Sequence, residues 1–218
     1  MKTLGVLGGM GPAATLDFLG KLQAATPARR DQDHIRVLVD INPQVPDRNV
    51  AGSEPGPVLA AMARGLAAQG AQVLAIACNT AHAYADDIRH AARVPLIDMI
   101  QVACEAARDS GARRVGVLGT PLALTLYGER LSGMGLTPVI LDDEDQGRFM
   151  GLLYAIKGGD LGETVCLGMV AAADALDADI VIAGCTEVPI ALDMADPGRL
   201  YIDAGQVLAE ACVAVCRG

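Results

Sequence analysis

Two cysteine-centred motifs, one in each half of the chain, carry the side chains best suited to chemistry. Segments 73–82 (VLAIACNTAH) and 180–189 (IVIAGCTEVP) each consist of an apolar run followed by a cysteine and by small polar residues. Such a run predicts a buried strand that ends near the thiol, at the edge where parallel α/β sheets bind ligands. Cys78 and Cys185 therefore form a symmetric pair, which indicates chemistry that needs a reagent on both sides of one small molecule.

Each thiol has one ionisable neighbour whose role the sequence leaves open. His82 is either a general base for Cys78 or a hydrogen-bonding residue at a helix start. Glu187 either contacts the ammonium group of a ligand or is an acid in the first turn of a helix. We expect a helix to begin after each cysteine. A helix N-terminus favours thiolate over thiol, so each cysteine is a candidate reactive group.

The other four cysteines lie in segments rich in Ala, Val and Leu, and we predict that they are buried core residues: Cys104, Cys166, Cys212 and Cys216. The spacing of the last two would suit two metal ligands on one helix face, but no nearby His or Cys completes a set. We therefore predict no metal site. His34 and His90 are expected to be ordinary surface residues.

Repeated blocks indicate which elements position these motifs. The sequence GVLG occurs at 5–8 and at 116–119, and the pattern IDxxQVxxEA occurs at 97–106 and at 202–211. With the cysteine motifs, these blocks follow the same order in both halves. They predict an α/β protein of two pseudo-symmetric three-layer domains with mainly parallel sheets. We expect residues 1–98 with the C-terminal helix 204–218 to form the first domain, and residues 99–203 the second.

Apolar periodicity and turn residues predict alternating strands and helices. Two segments are expected to be loops, namely 42–49 and the acidic segment 142–145. Strands are predicted near 3–7, 35–40, 72–77, 114–118, 137–141 and 180–183. Helices are predicted near 12–25, 56–70, 82–92, 99–110, 121–133, 146–156, 160–176 and 204–216.

Composition and charge exclude several classes of partner. The 218 residues carry a formal charge of −9, which disfavours nucleic acid because phosphate binding needs a basic surface. No long apolar stretch or basic-then-apolar leader pattern stands in the sequence, so we expect a cytoplasmic protein that does not bind membranes. In that reducing compartment the cysteines are expected to be thiols.

Hydrogen-bond donors cluster around the predicted strand ends. The glycine turn at 8–11 lacks the order of a dinucleotide motif and any Walker lysine, and it suits a carboxylate better than a nucleotide. Further donors are Asn79 and Thr80 beside one thiol, Thr186 beside the other, and Thr120 after the repeated glycine. Together they predict a small anionic ligand.

Four motifs in this order, GGMGP, PDR, CNTAH and GCTE, resemble the cofactor-independent aspartate/glutamate racemase family. The resemblance spans essentially the whole chain. It implies two pseudo-symmetric α/β domains with the active site in the cleft between them, one catalytic cysteine from each, no cofactor, and a homodimer. By this resemblance Cys78 and Cys185 are the two acid/base residues.

The resemblance also assigns substrate-binding roles. Met10, Asn79, Thr80, Thr120 and Thr186 match positions that bind the α-carboxylate or the ammonium group. Arg48 and Lys157 resemble the basic pair that holds the side-chain carboxylate in aspartate racemases, so a dicarboxylic amino acid, aspartate, is the expected substrate. The family usually continues after the threonine with a second Thr and a Ser, so that here the donor is either absent or supplied by Thr125.

Three other functions, two of them enzymatic, fit the same residues. A broad-specificity amino-acid, glutamate or hydantoin racemase would use the same thiol pair. A maleate-type cis–trans isomerase would use one cysteine as a nucleophile, whereas the presence of both thiols argues against a decarboxylase. A protein without catalytic activity would bind dicarboxylates or use the cysteines as a redox switch.

Overall fold

The computed structural model describes residues 1–195 and 200–218, and its strands form two separate four-stranded sheets. Contacts divide the chain into two units. Unit 1 comprises Met1–Val102 and Gly205–Gly218, and unit 2 comprises Ala103–Ala204. The C-terminal segment thus returns to the first unit.

Strands and helices alternate along the chain. The strands are β1 (Leu4–Gly8), β2 (Val37–Ile41), β3 (Val73–Ile76), β4 (Leu96–Ile97), β5 (Arg114–Leu118), β6 (Thr137–Val139), β7 (Ile180–Ala183) and β8 (Tyr201–Asp203). The α-helices are α1 (Pro12–Ala25), α2 (Pro55–Ala68), α3 (Ala85–Ala92), α4 (Met99–Asp109), α5 (Pro121–Gly133), α6 (Asp143–Lys157), α7 (Glu163–Asp174), α8 (Val188–Ala195) and α9 (Ala204–Arg217).

The two sheets have the same topology. Their strand orders are β2-β1-β3-β4 and β6-β5-β7-β8, and all pairings are parallel. The inner strands β1 and β3 are buried along their whole length, as expected for apolar runs covered on both faces. The predicted α/β class with parallel sheets is confirmed.

Local sequence explains where several helices begin. Pro12, Pro55 and Pro121 each occupy the first turn of a helix, where proline removes no hydrogen bond and its fixed φ suits the helix. Apolar helix faces then pack on the sheets. Phe149 and Met169 belong to the core of unit 2, and the core of unit 1 contains the side chains of α2 that face β1 and β3.

Some predicted element boundaries were wrong. Asp142 is not in an acidic loop: its carboxylate accepts a hydrogen bond from the N–H of Asp145 and caps α6, whose first turn contains the other acids. Negative charge is stabilising at a helix N-terminus, so this cluster begins a helix. The helix predicted near 82–92 starts as a 3₁₀ helix, Thr80–Tyr84, before α3. The short strands β4 and β8 and the helix α8 were not predicted.

No helix within the described residues is long and apolar enough to cross a membrane.

Candidate active site

Cys78 lies two residues beyond β3, and its side chain is 4% exposed. A guanidinium group and a hydroxyl contact its sulfur: Arg48 Nη2 is 3.7 Å and Thr80 Oγ1 is 3.5 Å from Sγ. Arg48 is held in place by the carbonyls of Pro46 and Met10, at 3.2 Å and 3.4 Å. The loop predicted at 42–49 therefore brings a positive charge to the thiol.

His82 does not act on the thiol of Cys78, because both of its ring nitrogens are occupied elsewhere. Nε2 accepts the backbone N–H of Met99 at 3.0 Å, so the proton lies on Nδ1, which donates to the carbonyl of Cys78 at 2.9 Å. Burial lowers the pKa of His82, an effect that the nearby Asp98 carboxylate partly opposes. The ring is a neutral, buried connector, and of the two roles considered for it the structural one fits.

The glycine turn after β1 is held by its own hydrogen bonds. Gly9 has φ +94°, and a Cβ there would lie 2.4 Å from the backbone of Asn42, so only glycine fits. Its N–H donates to Thr15 Oγ1 at 2.9 Å, and the same hydroxyl donates to the carbonyl of Gly11 at 3.0 Å. The Gly9 N–H is therefore used within the turn, which places the buried Met10 beside Arg48.

Cys185 occupies the equivalent position in unit 2, two residues beyond β7, and is 8% exposed. Its thiol donates to Glu187 Oε2 at 3.0 Å, and the hydroxyl of Thr186 donates to the same oxygen at 3.3 Å. Glu187 is only 3% exposed, and Lys157 Nζ lies 2.7 Å from its other oxygen. The buried carboxylate thus joins the thiol to an ammonium group.

Thr120 follows the end of β5, next to β7 in the sheet. Leu118 pairs with Ala183, and a Cβ on Gly119 would lie 3.3 Å from the carbonyl oxygen of Gly184. This close backbone approach explains the glycines before Thr120 and Cys185, and it brings Thr120 to the sheet edge that carries Cys185.

Thr125 does not supply the donor considered for it. It is an exposed residue of α5, and its hydroxyl donates to the carbonyl of Pro121 at 3.2 Å, one turn earlier in the same helix. Such back-bonding to the preceding turn is common for Thr in helices.

The predicted site residues therefore form two groups. Those in unit 1 are Met10, Arg48, Cys78, Asn79 and Thr80, and those in unit 2 are Thr120, Lys157, Cys185, Thr186 and Glu187. In both groups the residues beside the thiol are buried; Asn79, Thr80 and Thr186 are 2%, 5% and 6% exposed.

The other cysteines are core residues, as predicted. Cys104, Cys166, Cys212 and Cys216 are between 0% and 3% exposed. Burial raises the pKa values of Cys212 and Cys216. Within the described ranges, no group of three or more His, Cys, Asp or Glu side chains is arranged to hold a metal ion.

Comparison with known proteins identifies the family. The family model described as Asp/Glu/Hydantoin racemase matches residues 7–212. The chain belongs to the Asp/Glu/hydantoin racemase family. The resemblance predicted from the four motifs is confirmed, and the two-unit α/β architecture is that of the family's solved structures.

Individual relatives match this chain over nearly its whole length. The broad-specificity amino-acid racemase RacX of Bacillus subtilis (strain 168) is 29% identical over 220 residues, 96% of each chain. The aspartate racemase of Picrophilus torridus superimposes with a TM-score of 0.88 at 26% identity, over 100% of this chain and 95% of that one. An aspartate racemase homologue from Pyrococcus horikoshii OT3 gives 0.80 at 25% identity, over 100% of both chains.

One polar residue at the edge of β5 was not among the predicted site residues. Gln146, in the first turns of α6, donates from Nε2 to the carbonyl of Gly119 at 2.9 Å. It stands far from the recognised motifs in sequence, next to a segment interpreted as a loop. The helix predicted near 146–156 includes Gln146, but no local pattern indicates that its side chain reaches the carbonyl of Gly119.

Proposed function

We propose that this protein is a cofactor-independent racemase that interconverts L- and D-aspartate, with Cys78 and Cys185 as the two acid/base residues. One observation carries the proposal: each unit has a buried thiol two residues beyond the equivalent strand of an identically ordered sheet, with charged or hydroxyl groups in contact with the sulfur. A core cysteine has no need of such contacts. A pair of proton-transfer groups needs them, because polar neighbours stabilise the thiolate and thiol states between which each sulfur alternates.

In the proposed reaction, the thiolate of one cysteine takes the α-proton of the amino acid. The carbon becomes a planar carbanion whose charge spreads into the carboxylate as an enediolate. The thiol of the other cysteine then protonates the opposite face, so that the product has the inverted configuration and the two cysteines have exchanged protonation states. No redox change occurs, and the proton balance is closed.

The charged neighbours suit these alternating states. Arg48 stands beside Cys78 and is positioned to neutralise a thiolate there. Cys185 donates to Glu187, which holds the thiol form ready as an acid, and Lys157 offsets the carboxylate when Cys185 has lost its proton. We propose these as positioning roles for Arg48, Lys157 and Glu187.

Stabilisation of the enediolate requires donors aimed at the carboxylate, as in an oxyanion hole. We propose that Asn79, Thr80, Thr120 and Thr186 supply them, together with backbone N–H groups near the strand ends. Met10 is proposed to contact the substrate from the glycine turn. All these side chains except Met10 carry a donor, and all are buried.

The choice of aspartate rests on two cations, Arg48 and Lys157, as partners for a side-chain carboxylate. One observation favours a second candidate, a broad-specificity amino-acid racemase: Lys157 is already ion-paired with the buried Glu187, so this pair adds no net positive charge. The relative named RacX is a broad-specificity racemase. Racemisation of a panel of L-amino acids distinguishes the two candidates by whether aspartate alone is converted.

The decisive experiment replaces each thiol and follows both chirality and isotope. Cys78→Ala and Cys185→Ala should each lower the racemisation rate by about 10³-fold or more, the upper range for loss of a general acid or base. Cys166→Ala is the matched control, because that thiol is equally buried but lies in α7. Near-normal turnover by either single variant would refute the two-base scheme.

Isotope labelling tests the same scheme in the unmodified protein. When L-aspartate reacts in heavy water, early D-product should carry solvent deuterium while the remaining L-substrate does not. Equal early labelling of both pools contradicts two separate bases. Fumarate formation from maleate would instead select the isomerase, and ligand-induced stabilisation without α-proton exchange would select a binding protein.

We further propose a homodimer in the cytoplasm. Sedimentation equilibrium at micromolar concentration tests the assembly, since a monomer and a dimer differ twofold in mass.

A further inference from the structure

Gln146 presents a buried acceptor atom at the edge of the sheet in unit 2. Its Nε2 donates to the carbonyl of Gly119 at 2.9 Å. A carbonyl oxygen can only accept, so this hydrogen bond fixes the orientation of the amide and leaves Oε1 as the free end. Within the part of the chain that the structure describes, this buried Oε1 has no hydrogen-bond partner.

The residue after Gly119 has the same property. Thr120 is 3% exposed, and its Oγ1 has no hydrogen-bond partner among the described residues. Native proteins rarely leave buried polar atoms unpaired, because such atoms have lost their hydrogen bonds to water. One atom belongs to Thr120, and the other belongs to a side chain bound to the adjacent Gly119, just beyond the carboxyl end of β5. β5 pairs with β7, the strand that precedes Cys185, so the two unpaired atoms indicate a ligand position at this sheet edge.

The chemistry of the two atoms suggests which ligand groups they meet. An amide oxygen is an acceptor only, whereas a hydroxyl can donate to a carboxylate. An α-amino acid has ammonium N–H donors one bond from the carbon that bears its carboxylate. The other candidate for the ammonium group, Glu187, already accepts hydrogen bonds from Lys157, Cys185 and Thr186.

We propose that Gln146 is a substrate-recognition residue whose Oε1 accepts a hydrogen bond from the α-ammonium group, while Thr120 Oγ1 donates to the α-carboxylate. This assignment rests on the proposed amino-acid substrate. A neutral amide suits the position, because it binds the ammonium group without placing a negative charge beside the developing carbanion.

The test compares an amino acid with the same acid lacking its amino group. Aspartate is assayed as substrate and succinate as competitive inhibitor, for the unmodified protein and for Gln146→Met. Loss of the acceptor should raise the ratio of KM for aspartate to Ki for succinate by about tenfold, because only aspartate has an ammonium group. If the amino-acid panel selects another substrate, that amino acid and its deaminated analogue replace this pair.

Two further variants make the readout specific. Gln146→Glu keeps an acceptor for the ammonium group and repels carboxylates, so the same ratio should fall. Gln69→Met is the matched control: Gln69 also donates from Nε2 to a backbone carbonyl, that of Gly65, but it is exposed at the end of α2. This control should leave the ratio unchanged.

The possible results separate this inference from the proposed function. If the unmodified protein exchanges the α-proton of no amino acid in the panel, the proposed function fails. If it is active but Gln146→Met and Gln146→Glu change KM and Ki in equal proportion, Gln146 only supports the backbone at Gly119 and the inference is overturned. Opposite changes of the ratio in the two variants support it.

Discussion

The buried His82 should make the protein less stable in mild acid. Burial lowers its pKa below the ordinary value of 6.5, so below that pH the unfolded chain binds a proton that the folded protein does not. The stabilising contribution is complete above pH 6.5 and is lost as pH falls. One such proton changes the free energy of unfolding by about 1.4 kcal/mol per pH unit, or at most about 2 kcal/mol between pH 6.5 and pH 5.

Urea unfolding at several pH values between 5 and 8 measures this slope. The window is selective, because Asp33 and Asp179 have pKa values that hydrogen bonds from backbone N–H groups lower from 3.8, and they act below pH 4. His82→Gln removes the titrating group. It should weaken the protein at neutral pH by about 1–3 kcal/mol, because the hydrogen bonds to Cys78 and Met99 are disturbed, and it should flatten the slope.

The control for this experiment is His90→Gln. His90 is exposed on α3, and its Nδ1 donates to the carbonyl of Asp86 at 2.7 Å. The control variant should keep the full slope below pH 6.5. An unchanged slope in His82→Gln would mean that another group titrates in this range and that the reasoning about the buried ring is wrong.

Three further outcomes are expected. Above pH 9.0 the unfolded thiol of Cys212 ionises while burial keeps the folded one protonated, so stability should fall with pH and Cys212→Ala should reduce that slope by about 1.4 kcal/mol per pH unit in denaturant titrations. Glu187→Gln should lower kcat/KM equally in both directions, because enantiomers have equal free energies; unequal losses would indicate an assay artefact or a different reaction. Gly9→Ala should destabilise the fold by more than about 3 kcal/mol through its clash with Asn42, whereas Gly52→Ala, at φ +80° in open space, should lose only about 1 kcal/mol in thermal or urea unfolding.

Long apolar runs and proline-started helices were predictable because their signals are local. The strand predicted at 180–183 and the helix predicted at 121–133 match β7 and α5. In contrast, β4 has two residues and β8 has three, and neither was recognised as a strand from its local sequence. These strands depend on pairing with β3 and β7, so only the assembled sheet defines them.

The candidate site was predictable only as far as motifs reach. Cys78 and Cys185 lie just beyond β3 and β7, as the apolar runs predict, but the contacts of their neighbours depend on distant partners. The partner that occupies Nε2 of His82 is the backbone N–H of Met99, and the partner of Glu187 is Lys157. Neither contact leaves a trace in local sequence, and the same is true of Gln146 and the carbonyl of Gly119.

The return of α9 to unit 1 has a consequence for synthesis on the ribosome. Residues 103–204 are synthesised before 205–218, so all of unit 2 is made before α9, which unit 1 needs to be complete. The hydrogen bonds from the Lys2 N–H to the carbonyl of Cys216 and from Arg217 to that of Asp33 cannot form until α9 has been made. Unit 1 is therefore begun before unit 2 and completed after it, contrary to the usual order in which the amino-terminal domain folds first.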